Sequence, residues 1–131
     1  MGFLLQESES VSKKRIVVKA GSRILFLDPE NLQLLEAEGN YVRIHTQTEQ
    51  HVVRCPISLI ESELDPSIFL RISRSVIVNM NYVREMHPWF RGNYRVVMTD
   101  GTELTLTNNY RSRLDNFIGI PIGKRPRPSE G

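Results

Sequence analysis

Disulfide frameworks, membrane spans and secretion signals are missing from this 131-residue sequence. Its single cysteine, Cys55, excludes an internal disulfide framework and is typical of a protein from a reducing cytosol. No apolar run approaches the roughly 20 residues that a transmembrane helix needs. The N-terminal stretch turns acidic and polar after a few apolar residues, so it does not resemble a signal peptide. We expect a cytoplasmic domain that makes no contact with a membrane.

Signatures of catalysis and of metal binding are also lacking. The three histidines, His45, His51 and His87, show no metal-ligand spacing with one another or with Cys55. Cys55 precedes Pro56 at the end of a predicted strand, which is more typical of a structural cysteine than of a nucleophile. No nucleophile elbow, P-loop or dinucleotide-binding glycine motif is present. We predict a protein that is not an enzyme, with no cofactor and no bound metal.

The charges that are present are unevenly distributed. The formal net charge is only +2, in a composition that is otherwise ordinary for one globular domain. Residues 28–38 hold four acidic side chains and no cation, whereas residues 71–95 hold five arginines and one glutamate. Since a polyanion responds to local charge, the basic segment indicates either a nucleic-acid surface or an ordinary solvated face.

Short runs of alternating or β-branched residues predict a mainly β fold of about nine antiparallel strands. In YVRIHTQ, for example, Val42 and Ile44 face one way while Tyr41 and Arg43 face the other. Asp100-Gly101 lies between two further alternating runs and predicts a hairpin.

Two short helices are predicted to accompany the strands. Ser58 and Glu61 fit a capping box, and Asp65-Pro66 would end this helix within two turns. A second helix is expected to begin near Asn108. Its apolar face would be formed by residues at helical spacing, namely Tyr110, Leu114, Phe117 and Ile118.

The chain divides into one foldable segment and two polar termini. Residues 1–14 are expected to be a polar, disordered linker with little to bury. Residues 119–131 are basic, contain prolines and have no periodicity, so we expect a disordered tail. Residues 15–118 remain as a single domain.

Basic and amide-bearing side chains gather at three places where predicted strands begin or end. These candidate DNA-binding residues are Asn40, Tyr41 and Arg43, then Arg71, Ser73, Arg74 and Ser75, then Asn108, Asn109, Arg111 and Arg113. Arginine can bind guanine or phosphate, asparagine can pair with adenine, and serine can contact phosphate. Each cluster also has a structural interpretation: Asn40 as a turn residue with positive φ, Asn108 as a helix cap, and the arginines as solvated charges. The repetition of the pattern at three strand ends favours DNA binding.

Trp89 and Phe90 are adjacent aromatic residues in a predicted loop. They could stack on a base or contact another protein, but packing over the edge of a sheet is the favoured interpretation. The alternative function is a β-rich protein-interaction or small-ligand sensory module that does not bind DNA.

Three strings in this sequence resemble the LytTR family of DNA-binding domains. They are EAEGNYVRIHT, SLIESELDPSIFLRISRSVIVNMNYVREM and DGTELTLTNNY, and the resemblance covers roughly residues 15–118. It implies an elongated, antiparallel multi-sheet β fold with two short helices. It also implies that a bacterial transcriptional regulator binds double-stranded DNA sequence-specifically through loops between strands.

By this resemblance, the segments around 40–43, 73–74 and 108–109 would face DNA. The first and last would enter successive major grooves, with the middle segment near the intervening minor groove. The resemblance further implies paired DNA repeats, a second copy of the protein on the DNA, and an upstream receiver or sensor domain of a two-component system.

The sequence departs from the family pattern at two of these segments. Ser73 stands where many relatives have histidine, which removes a contact and a pH-dependent charge. Thr107-Asn108-Asn109 replaces a frequent Ser-Arg-Arg, so Asn108 would favour adenine over guanine if it reads a base rather than only capping a helix. Arg74 is the main candidate for base contact, and Arg71 is expected to contact phosphate or form a salt bridge.

Overall fold

A computed structural model describes residues 14–118, which form ten strands in three antiparallel sheets. The strands are β1 Ile16–Ala20, β2 Arg23–Leu27, β3 Leu32–Glu38, β4 Tyr41–Thr46, β5 Gln50–Arg54, β6 Phe69–Ser73, β7 Val76–Asn79, β8 Val83–Pro88, β9 Tyr94–Met98 and β10 Glu103–Leu106. The predicted mainly β fold is confirmed. The predicted tail and all but the last residue of the predicted linker lie outside the described residues.

One α-helix and four 3₁₀ segments accompany these strands within residues 14–118. Helix α1 spans Ile57–Glu61, and the 3₁₀ segments are Pro29–Asn31, Met80–Tyr82, Phe90–Gly92 and Asn108–Asn116. None of these helices is long and apolar enough to cross a membrane.

The capping box predicted for the first helix is wrong. Helix α1 begins at Ile57, with Pro56 in the N-cap position and no side-chain hydrogen bond to the first turn. Ile57 and Ile60 are both buried, so packing against the core sets where the helix begins. Ser58 therefore lies inside the helix, where its hydroxyl cannot take the capping position.

The second helix begins at Asn108 as predicted, but it is a 3₁₀ helix. Leu114 is buried, and Tyr110 and Phe117 pack against the same hydrophobic cluster. Ile118 is 47% exposed. Ile118 lies beyond the last helical residue, Asn116, so the helical spacing of the predicted apolar face does not extend to it.

The five-stranded sheet, in the order β5-β4-β3-β7-β6, is the centre of the fold. Successive side chains of a strand face opposite sides, so Leu35 and Leu34 of β3 belong to two different hydrophobic clusters. The first cluster joins the sheet to β1 and α1. The second cluster joins it to β9, β10 and the final 3₁₀ helix. This second contact brings the β9–β10 sheet next to the ends of β6 and β7.

Asn79 is a fully buried polar residue that ties the end of β7 to the start of β3. Its Nδ2 donates to the Leu32 carbonyl over 2.8 Å, and its Oδ1 accepts from the Asn81 amide over 2.9 Å. Asn79→Ala leaves the Leu32 carbonyl and the Asn81 amide without this partner. It should lower the free energy of unfolding by about 1–3 kcal/mol. Urea denaturation followed by circular dichroism measures this change.

The matched control is Asn81→Ala, because Asn81 is exposed and its contribution to this network is its backbone amide, which alanine keeps. We expect it to change the free energy of unfolding by no more than about 0.5 kcal/mol. Equal effects of the two substitutions would contradict the structural role given to the Asn79 side chain.

Candidate nucleic-acid interface

The β3–β4 and β6–β7 turns lie side by side at one end of the five-stranded sheet. The first turn carries Asn40, and the second carries Arg74 and Ser75. They are neighbours because β3 pairs with β7, and the Ala37 amide donates to the Ser75 carbonyl over 2.7 Å. The structure thus brings the first two predicted clusters together.

The junction between β10 and the final 3₁₀ helix continues this row beyond β6. The Thr107 amide donates to the Ile72 carbonyl over 2.9 Å, and the Asn108 amide donates to Asn93 Oδ1 over 2.8 Å. The β8–β9 loop, which contains Asn93, therefore lies beside this junction. Neighbouring strands of one sheet are about 4.8 Å apart, so the four strands from β4 to β6 span roughly 14 Å.

Gly39, and not Asn40, has the positive φ of the β3–β4 turn, at +60°. The left-handed conformation is free of strain in glycine because it has no Cβ atom. The interpretation of Asn40 as a positive-φ residue is therefore wrong, and its side chain is exposed at the turn. Tyr41 follows with 46% exposure, and the Arg54 guanidinium lies 6.0 Å from the centre of its ring.

Arg43 is engaged by a carboxylate of the neighbouring strand. Its Nη2 and Nε donate to the two carboxylate oxygens of Glu38 over 3.1 and 3.2 Å, and Nη1 donates to Gln50 over 3.3 Å. These hydrogen bonds and the positive charge lower the pKa of the Glu38 carboxyl. A DNA phosphate would have to compete with Glu38 for Arg43.

Arg71 points back into the protein and forms the salt bridge that was one of its two expected roles. Its Nη1 lies 2.9 Å from Glu61 Oε1, and its side chain is only 13% exposed. Nε donates to the Ser73 carbonyl over 3.2 Å, and Nη2 donates to the Arg74 carbonyl. Because both carbonyls belong to the β6–β7 turn, Arg71 holds the backbone of that turn in place.

Arg74 projects from the tip of the same turn. Its side chain is exposed, and among residues 14–118 its guanidinium has no hydrogen bond or ion pair. The Ser75 amide donates to Ser73 Oγ over 3.3 Å, which further orders the turn. Arg74 is thus a free cation on a backbone that is held from both sides.

The N-terminus of the final 3₁₀ helix is capped by Asn93 of the β8–β9 loop. Thr107 occupies the N-cap position without a side-chain cap, and Asn108 is the first helical residue. The interpretation of Asn108 as the helix cap is wrong, since Asn93 accepts the hydrogen bond from its amide. The Asn108 side chain lies against Gly92, where an added Cβ atom would be 3.0 Å from Asn108 Oδ1. Asn109 is exposed.

Arg111 and Arg113 both lie over aromatic rings. The Arg111 guanidinium is 5.0 Å from the centre of the Tyr94 ring, and that of Arg113 is 4.8 Å from the Tyr110 ring. Arg113 also donates to Glu61 Oε2 over 3.0 Å. Arg111 is exposed and has no ion pair within the described part of the chain.

The β8–β9 loop contains the functional candidates that sequence reasoning missed. Arg91 has φ of 55°, the only positive φ of a non-glycine residue between residues 14 and 118. Phe90 is 69% exposed, whereas Trp89 is 40% exposed and lies 4.3 Å from the Arg95 guanidinium. Packing on the sheet thus describes Trp89 but not Phe90. Asn93 caps an amide 15 residues further along the chain, so no local pattern identifies its role.

Reactive or metal-binding groups do not assemble elsewhere in the described chain. Across residues 14–118, no three His, Cys, Asp or Glu side chains are placed to hold a metal ion. Burial raises the pKa of the Cys55 thiol, which makes the reactive thiolate scarcer at neutral pH. The arrangement that remains is a row of turns offering amides, hydroxyls and guanidinium groups, which suits phosphates and base edges.

The chain is similar to a known family of DNA-binding domains and to known bacterial proteins. Residues 22–119 match the family described as LytTr DNA-binding domain. The chain is 25% identical over 115 residues to the sensory transduction protein LytT of Bacillus subtilis, covering 88% of this chain and 48% of that protein. It is 26% identical over 103 residues to the transcriptional regulatory protein LytR of Staphylococcus aureus, covering 79% of this chain and 42% of that protein. The chain thus spans under half the length of these relatives.

A solved LytTr DNA-binding domain from Bacillus cereus has the same fold. The two structures are similar with a TM-score of 0.69 at 19% sequence identity. The similar region covers 79% of this chain and 94% of the Bacillus cereus domain.

Proposed function

This chain belongs to the LytTR family of DNA-binding domains, and we propose that it binds double-stranded DNA sequence-specifically as part of a bacterial transcriptional regulator. The observation that carries the proposal is the row of turns at one end of the five-stranded sheet. In this row an unpaired arginine, Arg74, stands between the exposed amides of Asn40 and Asn108. Duplex DNA offers phosphates and base edges to such groups.

The row suggests how the domain lies on the duplex. The β3–β4 turn and the junction before the final helix enter successive major grooves, and Arg74 lies near the minor groove between them. The side chains that make these contacts are Asn40, Tyr41, Ser73, Arg74, Ser75, Asn108, Asn109 and Arg111. Three arginines that were candidates for DNA contact are bound to carboxylates and support the interface instead, namely Arg43, Arg71 and Arg113.

The partners follow from the same proposal. Two copies of the domain bind paired repeats on one duplex, and an upstream receiver or sensor domain in the full regulator controls that binding. The relatives support the presence of a further domain, because more than half of each lies outside the region that matches this chain. Access to DNA places the domain in the cytoplasm.

Selection from a pool of randomised duplexes tests the proposal. We expect enrichment of a motif of two short repeats about one helical turn apart, or 10–10.5 base pairs. Affinity for the enriched duplex should fall with salt, with a log–log slope of about −0.9 for each neutralised phosphate. Near-ultraviolet circular dichroism shows whether the protein used was folded. An unenriched pool from folded protein would contradict sequence-specific binding by this domain.

A further inference from the structure

Glu61, the last residue of α1, binds two arginines from distant parts of the chain. Its Oε1 accepts from Arg71 Nη1 over 2.9 Å, and its Oε2 accepts from Arg113 Nη1 over 3.0 Å. The Tyr110 ring lies beside both guanidinium groups, with its centre 5.9 Å from that of Arg71 and 4.8 Å from that of Arg113. We refer to these four residues, Glu61, Arg71, Tyr110 and Arg113, as the Glu61 cluster.

The two arginines of the cluster are held to different degrees. Arg71 is 13% exposed and also donates to two backbone carbonyls of the β6–β7 turn. Arg113 is 47% exposed and is held by Glu61 and the Tyr110 ring. Without the Glu61 carboxylate, Arg71 would keep its carbonyl acceptors but lose the ion pair that fixes its guanidinium beneath the turn, whereas Arg113 would be free to turn towards another anion.

The cluster connects directly to the proposed interface. Arg71 holds the turn from which Arg74 projects, and Arg113 belongs to the helix that begins at Asn108. One carboxylate therefore acts on the geometry of a base-contacting arginine and on the charge available to phosphates. Geometry affects specific binding, whereas available charge affects binding to every duplex alike.

We propose that Glu61 is a positioning residue that sets the ratio of specific to non-specific DNA binding. Through Arg71 it fixes the turn that presents Arg74, and it withholds Arg113 from the DNA phosphates. Glu61 does not touch DNA itself. This inference rests on the proposed function.

The test compares Glu61→Gln with the wild type on two duplexes, the enriched one and a shuffled one of the same composition. Fluorescence anisotropy measures both affinities across a series of salt concentrations. For the shuffled duplex, we expect tighter binding and a log–log salt slope steeper by about 0.9, because Arg113 is released to one phosphate. For the enriched duplex, we expect the preference over the shuffled duplex to fall about tenfold, because the turn under Arg74 loosens.

Glu63→Gln is the matched control, because it removes the same charge two residues further along at an exposed position outside the cluster. It should raise affinity for both duplexes slightly and leave their ratio unchanged. Arg113→Gln should leave the salt slope of wild-type binding unchanged, since Arg113 is withheld. The double variant Glu61→Gln, Arg113→Gln should lose the gain on the shuffled duplex but keep the loss of preference.

Four results would overturn the inference. Glu61→Gln could behave like Glu63→Gln, or it could weaken binding to both duplexes equally, which is the pattern of a structural residue only. If Arg113→Gln made the salt slope shallower by about 0.9, Arg113 would already bind phosphate in the wild type. This measurement does not depend on whether Glu61→Gln folds. Wild-type protein with no preference between the duplexes would refute the proposed function itself, and this inference with it.

Discussion

Arg74→Ala is expected to remove most of the sequence preference of DNA binding while leaving the fold intact. Arg74 is exposed, and its guanidinium makes no hydrogen bond or ion pair to any residue from 14 to 118, so its loss should hardly change stability. A lost bidentate contact to a base edge costs about 1–3 kcal/mol, which corresponds to roughly 5- to 150-fold in affinity for the enriched duplex. Parallel duplex selections and anisotropy titrations with wild type and variant measure this effect.

Two further variants separate charge from geometry. Arg74→Lys keeps the positive charge but loses the planar pair of donors, so it should retain phosphate attraction and lose base preference. Arg84→Ala removes an arginine that is 57% exposed at the start of β8, the end of the strand far from the β8–β9 loop. It should leave the enriched motif unchanged. If Arg74→Ala kept both the affinity and the motif of the wild type, the assignment of the β6–β7 turn to DNA would be wrong.

Ile72→Ala is expected to cause the largest loss of stability among these substitutions. Ile72 is 0% exposed within the second hydrophobic cluster, next to Ser73 and Arg74 of the β6–β7 turn. Replacing a buried isoleucine with alanine removes transfer free energy and leaves a cavity, and together these lower the free energy of unfolding by about 2–5 kcal/mol. Since small domains are stable by only about 5–15 kcal/mol, a measurable unfolded fraction is expected on mild warming.

Ile72→Val and Val17→Ala are the comparison variants for this measurement. The valine variant removes one methylene group at the same buried site and should cost about 0.5–1.5 kcal/mol. Val17 is 58% exposed, so its replacement by alanine should change the free energy of unfolding by less than about 0.5 kcal/mol. The loss of unfolding free energy measured in urea should therefore increase from Val17→Ala to Ile72→Val to Ile72→Ala, in the order of the buried volume removed. A loss for Ile72→Ala no greater than that for Ile72→Val would contradict tight packing at this position.

Strands and hairpins were predictable because their signals are local. Val42 and Ile44 are buried as the alternation of YVRIHTQ predicts, since successive side chains of a strand must face opposite sides. Gly101 takes φ of 93° in the hairpin turn that Asp100-Gly101 predicts. The order of such signals along the chain also carries the family resemblance, which the match over residues 22–119 confirms.

Helix ends were predicted less well, because tertiary packing competes with the local signals. Ser58 and Glu61 have the spacing of a capping box, yet burial of Ile57 moves the start of α1 and leaves Glu61 to bind two arginines. The final helix is capped by Asn93, which lies 15 residues before the amide that it accepts from. A pattern search within a few residues cannot find a cap that a distant loop supplies.

The sequence by itself determined the strands, the hairpin turns and the presence of arginines at three strand ends. Only the tertiary structure decided which of these arginines are paired with carboxylates and which are unpaired. Arg71 and Arg74 are the same residue type, three positions apart, but Arg71 forms an ion pair with Glu61, ten residues away, while the Arg74 guanidinium has no hydrogen bond or ion pair among residues 14–118. Glu61 in turn meets Arg113 across 52 residues. Side-chain alternation is encoded in neighbouring residues, whereas the partner of a charge depends on which distant segments the packed core brings together.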